Sequence, residues 1–163
     1  VFNGNGEPVS GANVHIVNSQ ATTTITIDDV TDNNGMLQVV DAPPGANAYE
    51  ITVTKTGYTS EATEDATVEN PNPAKPHATV LLQQVTQISF VIDQTSTANI
   101  STITDTCAVV PSVSFNMKGS KLIGVNPDVY KFDQNLTTDS SGGKTVSSLE
   151  WDTYSITLSG TTH

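Results

Sequence analysis

The first informative feature of this sequence is an absence, that of arginine. All 6 basic residues are lysines, against 17 acidic residues, and the formal net charge is −11. Arginine is the preferred residue for bidentate contacts to phosphate and guanine, and nucleic acids and anionic lipids attract positive surfaces. The composition therefore argues against a nucleic-acid partner and against membrane contact by this segment.

Cysteine is nearly absent as well. Cys107 is the single cysteine, so it has no partner for a disulfide within the chain. No histidine lies near it in sequence and its surroundings are apolar, which disfavours a catalytic thiol. Two interpretations remain, a small buried side chain or a disulfide to a cysteine of a missing segment or another chain.

Good helix formers are scarce, whereas threonine occupies 25 positions and serine 15. Threonine is β-branched and fits a pleated strand, and its hydroxyl tolerates solvent on the outer face. Apolar and polar residues alternate in many short segments separated by turns, which predicts an all-β fold with almost no helix. The main predicted strands cover residues 12–16, 36–40, 49–54, 78–82, 86–92, 113–117 and 154–158.

The two halves of the chain contain three similar segments in the same order. Residues 12–16 correspond to 113–117, the turn 31–35 to 138–142, and the strand 49–53 to 154–158, at offsets of 101, 107 and 105 residues. A period this long indicates duplicated domains. We therefore predict two tandem Ig-like or transthyretin-like β-sandwich domains, residues 1–84 and 85–163, joined at residues 83–87. Ile51 and Ile156 are expected to point inward at corresponding positions.

The second half differs from the first after its last strand. The strand containing Tyr49 is followed by another strand at residues 78–82, whereas only nine residues follow Tyr154. The second sandwich is therefore predicted to lack its last strand. Either the chain continues beyond residue 163, or a neighbouring molecule supplies the strand, because an open sheet edge is a template for strand addition.

The first half also carries a series of motifs in a fixed order. They are Gly6-Glu7-Pro8-Val9-Ser10-Gly11-Ala12-Asn13-Val14, Thr31-Asp32-Asn33-Asn34-Gly35, Pro44-Gly45 and Tyr49-Glu50-Ile51-Thr52-Val53-Thr54-Lys55-Thr56-Gly57-Tyr58. This series resembles the carboxypeptidase regulatory-like domain family over roughly residues 1–84. The resemblance implies a transthyretin-like sandwich, a non-catalytic accessory module of secreted and surface proteins. The second half is a more remote copy, and its residues 115–124 and 149–154 resemble bacterial surface or pilin-like proteins.

Side chains suited to catalysis are few. His15 lies on the polar side of an alternating segment, His77 follows a proline in a polar segment, and His163 is terminal. No ligand spacing typical of a metal site and no hydrolase nucleophile motif occurs. We therefore expect no enzymatic activity and no cofactor.

Three further groups of residues are candidates for binding or modification. Asp28, Asp29 and Asp32 offer oxygen ligands of the kind calcium takes from loops, although turn formation alone explains these residues. Asn99 and Asn135 begin N-x-Ser/Thr sequons and are candidate glycosylation sites.

Trp151 has two interpretations. It is predicted as a core side chain of the second sandwich, and the alternative is a sugar-stacking platform shared with Tyr130.

Together these features predict a non-enzymatic structural or adhesive module of an extracellular, cell-surface or filament-forming protein such as a pilus. Its expected partners are other copies of itself or neighbouring surface-protein domains, with polymerisation by β-strand donation. The alternative is a glycan- or calcium-binding accessory module of a larger secreted protein.

Overall fold

The structure is a computed structural model that describes residues 1–159. Over that range the chain is all-β, as predicted, and no helix occurs. The described part accordingly offers no helical segment capable of crossing a membrane. In chain order the strands are β1 (Asn13–Asn18), β2 (Ile25–Val30), β3 (Gly45–Thr54), β4 (Glu61–Ala62), β5 (Ala78–Val80), β6 (Ser96–Ser101), β7 (Ser114–Lys118), β8 (Leu122–Gly124), β9 (Val129–Tyr130), β10 (Asp133–Thr137), β11 (Gly143–Leu149) and β12 (Ser155–Leu158).

The first sheet is built around β1, which is paired on both sides. β2 and β3 flank it in antiparallel register, and β4 and β5 pair with different stretches of β3. Val14 and Ile16 of β1 are buried while Asn13 and His15 are exposed, so side chains alternate between core and solvent.

The first core extends further along the chain than the sequence predicts. Residues 86–92 form no strand of their own, and the prediction that they open the second sandwich is wrong, because Phe90 and Ile92 belong to the first cluster. Phe2 donates its backbone N–H to Phe90 at 2.9 Å and accepts that of Ile92 at 3.0 Å. The buried members of this cluster are Val9, Ala12, Val14, Ile16, Ala48, Tyr49, Val53, Ala78, Phe90 and Ile92.

The second sheet is built around β7 in the same manner. β10 and β12 flank it, both antiparallel, while β6 pairs with β11 and β8 with β9. Phe115 and Met117 of β7 are buried with Val146 and Leu149 of β11 in a second, smaller cluster. We call residues 1–93, which hold the first cluster, the first unit, and residues 96–159 the second unit.

The two central strands meet their neighbours in the same register. Val14 of β1 lies opposite Val53 of β3. The sequence repeat makes Phe115 of β7 equivalent to Val14, at an offset of 101 residues, and Leu158 of β12 equivalent to Val53, at an offset of 105. Phe115 and Leu158 also lie opposite each other. The β1–β2 and β7–β10 pairs keep the offsets of 101 and 107 residues as well. The similarity between the halves therefore corresponds to a repeated three-strand frame.

Each frame contains a buried threonine directly after β2 or β10, and its hydroxyl lies beside the start of the central strand. The Thr31 hydroxyl donates to the carbonyl of Val9 at 2.7 Å and accepts the N–H of Ala12 at 3.0 Å. The Thr138 hydroxyl accepts the N–H of Val113 at 2.9 Å. Both threonines are 3% exposed, and each hydroxyl satisfies a backbone N–H, that of Ala12 being buried and that of Val113 part-buried.

An aspartate closes the turn that follows each threonine. Asp32 Oδ1 accepts the backbone N–H groups two and four residues ahead at 2.8 and 2.9 Å, and Asp139 Oδ1 does the same at 2.8 and 2.9 Å. Gly35 and Gly142 have φ of 70° and 69° at equivalent positions of the two turns, where a side chain would be strained. The repeat thus includes the turn chemistry as well as the strands.

The repeated turns predict a loss of stability in acid. The N–H of Met36 lowers the pKa of Asp32 below its ordinary value, and the Ser141 hydroxyl lowers that of Asp139. A carboxyl group whose pKa is lower in the folded state than in the unfolded state stabilises the fold. Its full contribution is present above the unfolded pKa of about 3.9, and it is lost as the pH falls through the folded pKa. Thermal unfolding measured between about pH 5 and pH 2 should show a falling midpoint, with a smaller fall in an Asp32→Asn, Asp139→Asn double variant. Equal acid sensitivity of the two proteins would contradict this assignment.

β3 and β12, which occupy the same position in the two frames, differ in the exposure of their side chains. Val53 of β3 is 0% exposed, whereas its counterpart Leu158 of β12 is 55% exposed. Ile51 is packed against the first core, but Ile156 is 49% exposed, so its predicted burial is wrong. The reason is that Ala78, Phe90 and Ile92, from outside the first frame, belong to the core that buries Val53, whereas the second core has four buried side chains. In addition, β4 pairs with Thr52 and Val53, while no strand within residues 1–159 pairs with the outer edge of β12.

This difference predicts unequal costs for truncating the two corresponding side chains. Val53→Ala removes methyl groups from a closed core and should lower the free energy of unfolding by about 1–3 kcal/mol. Leu158→Ala should cost less than about 1 kcal/mol, although more atoms are removed, because the leucine is already half in water. Urea denaturation of both variants compares the two positions, and a larger loss for Leu158→Ala would contradict the exposure described here.

Candidate functional site

The two units touch through the polar segment that contains His77. The N–H of Ala74 donates to the carbonyl of Ile123 at 2.8 Å, and the carbonyl of Asn72 accepts the N–H of Val125 at 3.0 Å. Residues 72–74 therefore run beside β8 and use backbone groups that a surface loop would leave to water. These bonds fix the second unit against the first.

A buried ion network lies at the same junction. The Glu150 side chain is 7% exposed, and its Oε2 lies 3.1 Å from the Nζ atoms of both Lys121 and Lys131. Lys121 Nζ also lies 3.6 Å from Oδ2 of Asp93, whose side chain is 9% exposed and belongs to the first unit. Buried carboxylates persist only when paired, so the two lysines balance the two acids and Lys121 links the units.

An open cleft of about 700 Å³ lies beside this network and is walled by both units. Trp151 lines it and is 68% exposed, so its prediction as a core side chain is wrong. The flanking residues explain the orientation: Glu150 turns inward to the lysines, so Trp151 turns outward. Tyr130 does not line the cleft, and its ring instead lies 4.2 Å from Lys118 Nζ.

Asp152 anchors the segment that carries Trp151. It accepts the N–H groups of Ser120 and Lys121 at 2.9 and 3.2 Å, and the Ser120 hydroxyl at 2.5 Å. Burial opposes ionisation of Asp152, but the hydrogen bonds, led by that from the Ser120 hydroxyl, outweigh it and lower its pKa. The tryptophan is thus held between two anchored acids.

The three calcium candidates are not gathered into one site. Asp28 Oδ1 lies 2.5 Å from Nδ1 of His15, Asp29 accepts the N–H of Val30, and Asp32 is engaged in its turn. Over residues 1–159 no group of three or more His, Cys, Asp or Glu side chains is placed to hold a metal ion.

The remaining histidines and the cysteine differ in exposure, and the His77 side chain is 14% exposed. The His15 side chain is 48% exposed, as expected for the polar side of its strand, and His77 lies 3.3 Å from Asp65. Cys107 is exposed, so its predicted burial is wrong, while a disulfide to another chain stays a prediction. His163 lies outside the described residues.

Both sequon asparagines lie on the outer faces of strands. Asn99 in β6 and Asn135 in β10 are exposed, whereas their neighbours Ile100 and Leu136 pack against the second core. Their amide oxygens accept hydrogen bonds from Thr145 at 2.9 Å and from Asn116 at 3.2 Å. Glycosylation at Asn99 and Asn135 stays a prediction, and the exposure is compatible with it.

Comparison of the chain with protein-family models, with curated proteins and with solved structures found no match. The resemblance of residues 1–84 to carboxypeptidase regulatory-like domains therefore stays a prediction that depends on the motifs themselves.

Sequence reasoning missed the ion network at the junction. Lys121, Lys131 and Glu150 come from separate segments, and no local periodicity pairs them. The available signal was the charge of Glu150, directly between Leu149 and Trp151, which is predicted as a core side chain.

The network predicts a stability loss on neutralising its centre. Glu150→Gln removes the charge that both lysines share and should lower the free energy of unfolding by about 1–3 kcal/mol. Glu69→Gln is the matched control, because Glu69 is exposed, and it should be neutral. Urea denaturation of the two variants measures the difference, and equal stability would show that the network contributes nothing.

Proposed function

We propose that this chain is a non-enzymatic structural module of an extracellular, cell-surface or filament-forming protein, and that the open edge of β12 binds a strand of another copy of the chain. The observation that carries the proposal is the contrast between Val53, which is 0% exposed, and Leu158, which is 55% exposed at the corresponding position. The same frame is covered in one unit and open in the other.

The chemistry of β12 supports strand addition. Its residues Ser155–Leu158 include neither a charge nor a proline, whereas the opposite edge of the same sheet begins with Asp133. Sheet edges are normally protected by charges, prolines or coverage, since free N–H and C=O groups pair readily with another chain. An unprotected edge with two half-exposed apolar side chains, Ile156 and Leu158, is therefore a favourable acceptor.

We further propose that each unit is a transthyretin-like or Ig-like sandwich, with the second incomplete until a strand is added. The shared register of the two frames supports this, as does the smaller second core. In the first unit β4 pairs at this position, with Thr52 and Val53 of β3, and within residues 96–159 no strand pairs at the corresponding edge of β12.

A second copy of the chain is the partner that the edge favours. Strand addition depends mainly on backbone hydrogen bonds, so a strand can pair with an identical one. Pairing of β12 with β12 of another copy is two-fold symmetric and buries Ile156 and Leu158 of both copies. Pairing with a different edge strand of the copy would instead extend into a filament, because that contact does not close.

The structural role is also consistent with where the charged side chains lie. Glu150 and Asp93, the buried acids of the junction, are paired with lysines, so they stabilise the contact between units. His15 and His77 pair with surface aspartates. Extracellular location is proposed from the composition, with its single cysteine, threonine-rich strands and net charge of −11.

Sedimentation velocity over a range of protein concentrations tests the proposal. The wild-type chain should self-associate, and added salt should strengthen association by screening repulsion between chains of charge −11. Leu158→Glu should abolish association, because a buried charge in the new ladder would be unpaired. Val85→Glu is the matched control: Val85 is 96% exposed, lies outside β12, and should associate as the wild type does.

The possible outcomes separate clearly. A closed dimer or an open series of oligomers, either one lost in Leu158→Glu, supports strand addition between copies. A monomer at every concentration, or association that Leu158→Glu leaves unchanged, overturns it.

A further inference from the structure

We propose that the cleft between the two units is a binding site for a neutral oligosaccharide, with Trp151 as the stacking surface. The site is separate from the β12 edge and does not depend on self-association. Four observations carry it: the exposed indole of Trp151, the contacts of the neighbouring aromatic rings, the acidic lining, which disfavours an anion, and a polar wall contributed by the junction.

Trp151 presents a large apolar ring to solvent from a fixed segment. It is 68% exposed, although a tryptophan side chain normally contributes its area to a core or an interface. Because Glu150 and Asp152 on either side are anchored, the ring is presented by a constrained backbone. A preorganised aromatic face of this kind suits stacking on the C–H face of a sugar ring, since little ordering entropy remains to be lost on binding.

The other two aromatic rings of the cleft are already engaged. Tyr154 packs edge-to-face on Phe132, with ring centroids 5.4 Å apart, and donates its hydroxyl to the carbonyl of Glu150 at 3.1 Å. Tyr58 has the Lys55 ammonium 4.9 Å from its ring centroid. Of these three rings, Trp151 is the one that is mostly exposed.

The carboxylates of the cleft disfavour an anionic ligand. Glu7, Asp93, Glu150 and Asp152 line it, and within residues 1–159 only Lys121 and Lys131 pair with members of this group. Asp152 and Glu7 accept hydrogen bonds from neutral groups, which leave their charges in place. A neutral ligand avoids repulsion by these charges, and a cationic comparison in the test shows whether a cation is preferred.

The remaining wall offers the hydrogen-bonding groups that sugar hydroxyls use. Asn5, Gln94, Ser96 and Thr97 line the cleft with amide and hydroxyl groups, which both donate and accept. An open volume of about 700 Å³ is within the range of small-molecule sites and suits a short chain of sugar rings. The ligand class is therefore a neutral, hydroxyl-rich oligosaccharide.

Tryptophan fluorescence tests the proposal directly, because Trp151 is the single tryptophan of the chain. The probes are cello-, malto-, xylo- and chito-oligosaccharides, with spermine as a cationic comparison. At least one oligosaccharide should change the emission in a saturable manner, and isothermal titration calorimetry of the same sugar should give the same affinity.

Variants distinguish stacking by Trp151 from other modes of binding. In calorimetry, Trp151→Ala should weaken binding by about tenfold or more, equivalent to ~1.4 kcal/mol, and Trp151→Phe should lose less. Tyr130→Ala is the control, because the sequence suggests a stacking platform shared by Trp151 and Tyr130, whereas Tyr130 does not line the cleft. This variant should bind the sugar normally. Leu158→Glu should also bind normally, which keeps this proposal independent of strand addition.

The contrary outcomes are equally specific. No response to any sugar of the panel, a response to spermine alone, or sugar binding that survives Trp151→Ala would each overturn the proposal.

Discussion

Each of the two central strands, β1 and β7, is hydrogen-bonded to a neighbouring strand on both sides. The rest of this molecule depends on that constraint. A central strand hydrogen-bonded to two neighbours cannot slip by one residue without moving its whole apolar set to the solvent face. Val14 and Phe115 are therefore held in their cores by ladders as well as by packing. The Thr31 and Thr138 hydroxyls complete the hydrogen bonding where these strands begin, so strand, turn and core specify one register together.

The two copies of the frame are covered to different extents because the segments around them differ. The first unit closes its core with β5 and with Phe90 and Ile92 from the segment that follows, whereas the second buries four apolar side chains and leaves β12 uncovered. A core of that size supplies limited stability alone, so contacts from outside matter more. The backbone pairing of residues 72–74 and the ion pairs of Lys121 supply such contacts from the first unit. The junction that results also forms the cleft in which Trp151 is exposed.

Much of the frame was predictable because its signals are local. The strands at residues 12–16, 49–54 and 113–117 alternate with period two, and the Thr-Asp turns carry their own hydrogen-bond acceptors. The segments 36–40 and 86–92 show why such predictions also fail. Leu37, Val39, Phe90 and Ile92 are packed against the first core as the alternation indicates, yet these segments form no strands. Alternation reports which side chains are buried, whereas a strand also needs a neighbour with free backbone groups.

By itself, the sequence determined the all-β class and the order of the repeated strand, turn and strand, since each follows from side-chain period and turn chemistry within a few residues. The third strand of each frame and the pairing register came from the structure. Tertiary structure alone decided that Trp151 and Cys107 face solvent, that Phe90 and Ile92 belong to the first core, and that Lys121 joins Asp93 to Glu150. These outcomes depend on contacts between residues far apart in the chain. Whether a side chain is covered is a property of what lies opposite it in space, and no local pattern contains that information.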